Sequence, residues 1–408
     1  MTSVQQSYGR TTPTLLVLAL ALFVVGTNAY VIAGLLPGIA TSLAATPTEV
    51  SFSITSYALV VAVAAPAVSV LLPRVPRSVL MAAGMAVFAL GGAIAVSATS
   101  LPLFLIGRTF SGLGGAALVP TAAAAAASIA RPAQRGRALA IVGAGFTLAT
   151  AVGSPFGTAL GGVAGWRLPL LLLVGIAVVL VVAIPFVARG VPIGPTITLR
   201  QRLVPLADLR MLAPLGTTLL MIAGFNVVYI FSASVTHAST GGSGNLLAIL
   251  FLACGVAGVI GNMIAGPLTD RFGNRTTALV ALSAQVIALL VLPFVESSFV
   301  GSIVVFAVWG IAAFAIAIPV QHRLVHVNPD TAAVALSWYS TAMYIGIAIA
   351  PPLGTAALAL GGAEAIPAVG AAVTATALAL FAAGYGRRLQ AAGGKRRADA
   401  LEETSVVA

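Results

Sequence analysis

The chain has 408 residues, of which 60% are hydrophobic and only 7% are charged. A soluble domain carries roughly a quarter of charged residues, so the composition excludes a soluble globular protein and predicts an integral membrane protein. The net charge of +11 does not indicate nucleic-acid binding, because the basic residues are dispersed among apolar segments instead of being gathered on one module. We therefore expect the lipid bilayer as a partner, and no nucleic acid.

Apolar segments long enough to cross a bilayer recur along the whole chain. A spanning helix needs about 20 mostly apolar residues. The first such segment is longer than a signal peptide and is followed by eleven more, which indicates that it is retained. The predicted fold class is an all-α membrane protein with twelve transmembrane helices, over residues 14–36, 50–72, 79–98, 102–128, 136–160, 166–187, 212–235, 245–268, 276–295, 299–320, 331–356 and 365–386.

The basic residues fall on one side of the membrane when the N-terminus is placed in the cytoplasm. On that assignment, every lysine and arginine except Arg108 and Arg167 lies in a cytoplasmic loop or terminus or at the cytoplasmic end of a span. The positive-inside rule requires this asymmetry, and a missed or additional span would disrupt it. The sequence therefore predicts a multi-pass protein of the cell inner (cytoplasmic) membrane with both termini in the cytoplasm.

A weak internal repeat divides the chain near its midpoint. Ser-Pro-Phe-Gly-Thr at 154–158 recurs as Pro-Pro-Leu-Gly-Thr at 351–355, and Gly-Thr-Asn at 26–28 recurs as Gly-Phe-Asn at 224–226. Self-similarity over half the chain indicates two copies of one unit. We expect two pseudo-symmetric six-helix bundles, with a cytoplasmic N-terminus at 1–13, the first bundle at 14–187, a cytoplasmic linker at 188–211, the second bundle at 212–386 and a cytoplasmic tail at 387–408.

Glycine and proline are concentrated in the apolar stretch 145–162. Such residues are tolerated in membrane helices because neighbouring helices satisfy the freed backbone groups, and small residues allow a second backbone to approach closely. We therefore predict a bent helix that packs tightly against a partner. The candidate gating positions are Gly145, Gly153, Pro155 and Gly157, with Pro352 and Gly354 in the repeat.

Arg108 is the one charged residue that the sequence places well inside a span, away from its cytoplasmic end. A mid-helix arginine is unfavourable by about 2.5–3.5 kcal/mol on insertion scales, so such residues usually face a cavity or a partner. The alternative is that its long side chain snorkels to the outer interface. The functional interpretation makes Arg108 the polar centre of a substrate cavity.

Polar and aromatic residues in other spans complete the candidate substrate site. Asn28 and Asn226 occupy equivalent positions in the repeat, and an asparagine in hydrocarbon needs a hydrogen-bond partner. They could form interhelical hydrogen bonds between the halves or contact a solute in a cavity. The aromatic candidates for the same cavity are Tyr30, Tyr229 and Tyr339.

The residues that enzyme chemistry requires do not form a pattern in this sequence. No aspartate or glutamate falls inside a predicted span, and the sequence has no phosphate-binding loop of the Gly-Lys-Ser/Thr type. His322 and His326 would share a helix face, which makes a metal site conceivable. However, no carboxylate or cysteine joins them, and solvated histidines are the better interpretation. We predict no enzyme activity, no bound metal and no cofactor.

Three motifs resemble the major facilitator superfamily. The run Gly-Pro-Leu-Thr-Asp-Arg-Phe-Gly-Asn-Arg at 266–275 resembles its loop signature, and Arg-Thr-Phe-Ser-Gly-Leu-Gly at 108–114 resembles its fourth-helix motif. The stretch 145–158 is similar to the fifth-helix motif of proton-coupled exporters. The likeness covers nearly the whole chain, and within the family it is to the twelve-helix drug:proton antiporter branch, near the arabinose-efflux and chloramphenicol-efflux proteins.

The resemblance implies a mechanism of alternating access. In that family the two halves rock about a central cavity, and the motifs of the fifth and eleventh helices pack between the halves and control which side opens. The loop signature contributes Asp270, Arg271 and Arg275 as gating charges.

The first half departs from the loop signature, since a proline stands where the second half has Asp270. A latch based on that carboxylate is therefore not expected in the first half. We predict swapped charges instead, with Arg74 or Arg77 near Asp330. Asp270 would then meet Arg135 or the N-terminus of the fifth helix, which is a favourable place for an anion.

The first span departs from the family pattern in a way that bears on the solute. Relatives often carry glutamate directly after Gly-Thr, where this chain has Asn28. Without a membrane carboxylate, we expect a solute that is neutral, or anionic and paired with Arg108. A proton could be carried by a loop-end group such as Glu49, Asp270 or His237, or by the solute, and uncoupled transport is a further alternative.

The predicted function is the export of a small amphiphilic, drug-like compound by a monomer that works by alternating access and is coupled to protons. The same residues also suit an efflux or uptake carrier for a metabolite such as a sugar, nucleoside or amino acid. A non-transporting receptor on a transporter scaffold is disfavoured, because no large extramembrane domain is expected.

Overall fold

The computed structural model describes residues 11–131, 134–189, 191, 199–295, 297–327 and 331–385, and these residues form helices and short connections. The helices of the first bundle are α1 (Thr11–Ser42), α2 (Pro47–Leu71), α3 (Arg77–Ser97), α4 (Leu101–Ile129), α5 (Arg135–Ala164) and α6 (Arg167–Val187). The second bundle begins with α7 (Leu209–Ile230) and includes α10 (Phe299–Val327).

The other four helices of the second bundle form two continuous stretches, Gly244–Val295 and Ala332–Ala383, of 52 residues each. At 1.5 Å per residue a straight helix of this size would be about 78 Å long, more than twice the hydrocarbon thickness of about 30 Å. Gly273, with φ of 80°, divides the first stretch into α8 and α9. Gly361 and Gly362 divide the second into α11 and α12. The described residues therefore form twelve spanning helices, which confirms the predicted fold class.

The two bundles repeat the same close helix contact at equivalent positions. A Cβ atom placed on Gly112 of α4 would lie 2.7 Å from the carbonyl oxygen of Tyr57 in α2. In the second bundle Gly310 of α10 meets the carbonyl group of Cys254 in α8 in the same way. The contact gives Cys254, which is buried, a packing role.

The α5 helix contains a π-helical turn at Ala149–Gly153, between the α-helical segments Arg135–Leu148 and Ser154–Ala164. Pro155 is the second residue after this turn and has no N–H group to donate to the preceding turn. A π-helical turn is a known way to accommodate such an interruption, and it bends the helix axis. The structure thus contains the interruption that the glycine and proline pattern predicted.

The glycines of α5 bring this helix against α1, within the same bundle. A Cβ atom on Gly145 would overlap the carbonyl oxygen of Ala19, and one on Gly153 would overlap the side chain of Thr27. Gly157 lies in the same row and faces Val31 at 2.5 Å. The resemblance implied that this motif packs between the halves. Its glycines instead face α1, since the row of small residues at a spacing of four lies on that side of the helix, and other residues of the same stretch contact the second half.

The contact between the halves uses a different face of α5, which we call the seam. Here Gly255 of α8 lies against Thr150 and Ala151, with a Cβ on Gly255 at 2.7 Å from the Thr150 carbonyl oxygen. Farther along, a Cβ on Gly162 would lie 3.5 Å from the Cα atom of Gly244. The seam therefore extends to the distal end, defined as the end that carries the connections 165–166 and 241–243.

The corresponding helix of the second bundle, α11, also uses one face to pack within its own bundle and another to contact the other half. Gly354 faces the ring of Phe231 at the end of α7, within its own bundle, whereas Pro352 is exposed. The contact with the first bundle is made elsewhere on α11, where the Thr55 hydroxyl of α2 donates to the carbonyl oxygen of Ala348 at 2.8 Å. The halves therefore meet through the pairs α5–α8 and α2–α11, as expected for a duplicated unit.

Part of the connection between the bundles is ordered against α11. The short helix Leu199–Leu203 places Arg202 in a buried position, where its guanidinium donates to the Ser337 hydroxyl at 3.1 Å. The indole of Trp338 donates to the Arg202 carbonyl oxygen at 2.8 Å. This contact fixes the described part of the linker at the basic end, defined as the end that carries the connections 72–76 and 204–208.

Candidate substrate cavity

A cavity with a volume of about 310 Å³ opens between the two halves. Phe146 and Thr147 line it from the first half of α5, and Tyr339 lines it from the start of α11. The cavity therefore lies between the seam and the basic end. Its other lining residues are Tyr30, Thr150, Met221, Ile222, Phe225, Asn262, Gln285, Ala313, Phe314, Ala317, Ile318, Gln321 and Met343.

The chemistry of this lining is apolar and uncharged. Aromatic rings and methionine side chains supply broad apolar contact area. The polar groups are three side-chain amides, Asn262, Gln285 and Gln321, together with tyrosine and threonine hydroxyls. Amides both donate and accept hydrogen bonds without bringing a formal charge into the cavity. Such a wall suits a neutral amphiphilic solute better than an ion.

Gln285 is oriented by its own hydrogen bonds. Its Nε2 atom donates to the Met221 carbonyl oxygen at 3.3 Å and to the Thr374 hydroxyl at 3.2 Å. Both bonds use the amide nitrogen, so the carbonyl end of the side chain is available as an acceptor. The three amides were not singled out from the sequence, although a neutral polar residue within an apolar span is the signal by which they can be found.

Tyr30 and Tyr229 meet where the cavity ends at the seam. Their ring centroids lie 5.8 Å apart in an edge-to-face arrangement, and Tyr30 also contacts the ring of Phe146 at 6.0 Å. The Tyr229 hydroxyl forms a hydrogen bond of 3.0 Å with the Ser154 hydroxyl across the seam. Tyr30 lines the cavity, whereas Tyr229 is buried behind it.

Asn226 and Tyr339 have different surroundings although both were expected in one site. Tyr339 is half-buried and lines the cavity. Asn226 is buried, and its side-chain nitrogen donates to the Ile222 carbonyl oxygen one turn earlier in α7, at 2.9 Å. Asn226 is therefore satisfied within its own helix and is not among the residues that line the cavity.

Arg108 does not lie at the centre of this cavity, where the sequence interpretation placed it. It is 1% exposed and lies inside the first bundle, where its Nη1 atom donates to both the side-chain and the backbone oxygen of Asn28. Its guanidinium carbon lies 4.6 Å from the centroid of the Tyr57 ring. The pair forms part of the wall of a separate cavity of about 10 Å³. The prediction was wrong because hydropathy indicates that a residue lies within a spanning helix but does not indicate which side of the helix carries it.

The residues predicted as gating charges at the basic end are exposed, and the structure does not bring Asp270 into an ion pair with any described residue. The guanidinium of Arg271 lies over the ring of Phe272 at 5.2 Å, and that of Arg275 lies over the ring of Tyr385 at 5.5 Å. The expected contact between Asp270 and Arg135 is not present, since the cavity separates the halves at this end.

The proposed charge swap in the first half rests on Asp330, which lies outside the described residues. Arg77, one of its two expected partners, makes hydrogen bonds to α4. The Arg77 Nη1 atom donates to the Ala124 carbonyl oxygen at 2.8 Å and to the Ser128 hydroxyl at 3.1 Å, near the C-terminus of α4. A cation is favourable there because the last carbonyl groups of a helix carry a partial negative charge.

The two histidines of α10 are paired with each other. The rings of His322 and His326 stack at 3.9 Å, and the His326 Nδ1 atom lies 2.9 Å from the His322 carbonyl oxygen. Among the described residues, no group of three or more histidine, cysteine or acidic side chains is arranged to hold a metal ion.

Comparison with known proteins identifies the family. The family model of the Major Facilitator Superfamily matches residues 18–334 and 215–407, which together include nearly the whole chain. The chain belongs to the Major Facilitator Superfamily. As a member of this family it is a multi-pass membrane transporter.

Curated relatives agree with this assignment. The chain is 30% identical over 367 residues to the inner membrane transport protein YdhP of Escherichia coli O157:H7, a match that covers 90% of this chain and 94% of the relative. It is 27% identical over 342 residues to the MFS-type transporter YbcL of Bacillus subtilis, with coverage of 83% and 87%.

Solved structures share the fold at low sequence identity. The nucleoside transporter NupG superposes with a TM-score of 0.73 and 12% identity, over 92% of this chain and all of that one. A bacterial homologue of the human lysosomal transporter Spinster, solved in an inward-facing conformation, superposes with a TM-score of 0.69 and 14% identity. That match covers 92% of this chain and 96% of the homologue.

Proposed function

We propose that the protein exports a small, uncharged amphiphilic compound from the cytoplasm by alternating access. The observation that carries the proposal is the lining of the 310 Å³ cavity, which combines aromatic rings with amides and hydroxyls and contains no charged side chain. A cavity of this size matches the lower range of drug-sized binding sites. The similarity of the α5 motif to that of proton-coupled exporters supports the outward direction.

The proposal narrows the solute class that the sequence left open. An anionic solute would need Arg108 as its partner, but that guanidinium is bonded to Asn28 beside a different cavity. A cationic solute would need a carboxylate, and the described carboxylates Glu49, Asp208, Asp270 and Glu364 are outside the cavity wall. A neutral solute that offers hydrogen-bond donors and acceptors fits the amides without an unpaired charge.

The proposed orientation places both termini and the basic end in the cytoplasm of the cell inner membrane, following the positive-inside rule. The cavity would then face the cytoplasm with the distal end closed, which is the loading state of an exporter. We further propose that a monomer performs transport and that protons drive it. A carrier for a neutral metabolite is the second candidate, and nucleosides are its best-supported class because their bases match planar amide groups and because NupG, a nucleoside transporter, shares the fold.

Transport by the purified protein in vesicles tests the proposal. Neutral aromatic compounds and nucleosides would be offered outside the vesicles alongside cationic and anionic analogues of the same size, with and without a proton gradient directed out of the lumen. We expect a neutral compound to accumulate against its gradient, and a protonophore to abolish this accumulation. Preferred transport of the cationic or anionic analogues would contradict the solute class, whereas insensitivity to the protonophore would contradict only the coupling.

A further inference from the structure

The guanidinium of Arg108 is buried without a carboxylate partner among the described residues. It is 1% exposed, and α1, α3, α4 and α6 surround the cavity beside it. The described acidic residues Glu49, Asp208, Asp270 and Glu364 are at helix ends and are not buried. An isolated ion in a low-dielectric interior is strongly unfavourable unless it is paired. The charge of Arg108 therefore requires a counter-charge that the described side chains do not supply.

The contacts of Arg108 leave one edge of the guanidinium without a hydrogen bond among the described residues. Nη1 donates to Asn28, and the face of the group is covered by the Tyr57 ring at 4.6 Å. The Nε and Nη2 atoms are buried and make no hydrogen bond to any described residue. These two nitrogens present parallel N–H groups, which is the geometry that arginine uses to bind an anion with two donors.

The cavity beside Arg108 limits what that anion can be. Its volume is about 10 Å³, which corresponds to a single particle of the size of a water molecule. Apart from Arg108, Asn28 and Ser111, its wall is formed by apolar side chains and by Gly92. A carboxylate or phosphate ion is too large for this space. A monatomic anion is the smallest candidate, and apart from Arg108, Asn28 and Ser111 it would meet apolar side chains and Gly92.

We propose that Arg108 and the cavity beside it form an internal binding site for a halide ion, with chloride as the physiological occupant. Chloride would accept hydrogen bonds from Nε and Nη2 and neutralise the buried charge. This site is separate from the 310 Å³ cavity and independent of the proposed solute. It also accounts for the amide at position 28, because a helix-1 carboxylate is not needed where a mobile anion supplies the charge.

Thermal unfolding of the purified full-length protein tests this site, with sodium chloride, bromide and gluconate compared at equal ionic strength. Gluconate is too large for the cavity. We expect Tm to be higher by about 2–4 °C in chloride or bromide, because an ion that binds only the folded state stabilises it by mass action. An identical Tm in all three salts would overturn the proposal and indicate a neutral water at this position.

The Asn28→Asp variant is the decisive control. A carboxylate at position 28 would pair with Nη1 and replace the anion, so this variant should fold and lose its Tm difference between salts. Asn226→Asp at the equivalent position of α7 has no arginine partner and should keep the difference. The proposal is contradicted if Asn28→Asp responds to chloride as the wild type does.

A second measurement does not depend on any variant. Crystals of the wild-type protein soaked in bromide should show an anomalous scattering peak within hydrogen-bond distance of Arg108 Nε and Nη2. A peak found elsewhere in the protein, with none beside Arg108, would rule out the assigned site.

Discussion

At the distal end of the first bundle, the guanidinium of Arg167 joins three helices. Its Nε atom donates to the Val96 carbonyl oxygen at 3.1 Å, and Nη2 donates to the Ala98 carbonyl oxygen at 2.9 Å. Nη1 donates to the Ser42 hydroxyl at 3.0 Å. The side chain is exposed, so its contribution to stability comes from these three hydrogen bonds and not from burial. It connects the start of α6 to the ends of α1 and α3.

Replacing Arg167 by alanine should therefore destabilise the first bundle. We expect a loss of about 1 kcal/mol, because hydrogen bonds of a charged donor are worth about 1.5–3 kcal/mol but solvent weakens them at an exposed site. Arg167→Lys keeps the charge but not the planar fork, and should recover only part of the loss. Thermal unfolding of both variants measures the effect, and an equal Tm for alanine and wild type would show that the three bonds contribute nothing.

The uncharged character of the cavity is also testable at one residue. Asn262 lines the cavity, and Asn262→Asp would introduce a carboxylate of nearly the same size. We expect transport of a neutral solute to fall at least about tenfold, which corresponds to about 1.4 kcal/mol, and its cationic analogue to gain in proportion. Asn262→Gln is the neutral control. An unchanged preference for the neutral analogue would indicate that this residue does not contact the solute.

At the scale of the helix, the packing of α5 on α1 depends on the absence of a side chain at defined positions. Gly145 has no space for a methyl group because the carbonyl oxygen of Ala19 occupies it. Gly143 lies two residues earlier, and a Cβ there would meet nothing within 4 Å. The two glycines are matched positions for substitution, since both lie in α5 but only Gly145 packs against α1.

Gly145→Ala should force α1 and α5 apart, at a cost of at least about 1–3 kcal/mol, and should abolish transport. Gly143→Ala should be neutral or stabilising by up to about 1 kcal/mol, because alanine is the better helix former. Thermal unfolding and transport measurements on the two variants test this prediction. Equal behaviour of the two would contradict the assigned contact.

Helix packing also explains which parts of the site could be predicted from the sequence. The length of the apolar segments and the glycine and proline spacing indicated the spans and the bend in α5, because both follow from local chemistry. Arg108 and Asn226 lie within spanning helices, as predicted, but not among the residues that line the 310 Å³ cavity. The rotation of a helix about its own axis is set by its contacts with distant segments, such as the contact of Gly112 with Tyr57. The sequence of a nearly uniformly apolar helix has no clear periodicity from which this rotation could be predicted.

At the scale of the whole molecule, the duplicated unit provides two equivalent contacts between the halves. The α5–α8 pair and the α2–α11 pair lie around the cavity, and the α5–α8 contact reaches the distal end at Gly162 and Gly244. Alternating access requires this end to open while the basic end closes. The glycine rows hold α5 to α1 within one bundle, so each half can move as one body and the seam is the surface that must separate.

Cross-linking of the distal end tests this account most directly. In a Cys254→Ala background, cysteines at positions 162 and 244 would have Cβ atoms near the separation that a disulfide requires, since a Cβ on Gly244 lies 3.3 Å from the Gly162 Cα atom. Each single-cysteine variant serves as the control. We predict that oxidation cross-links the double variant and stops transport, and that a reductant restores it. Full transport by a completely cross-linked protein, or no cross-link at all, would contradict the proposed movement of the two halves.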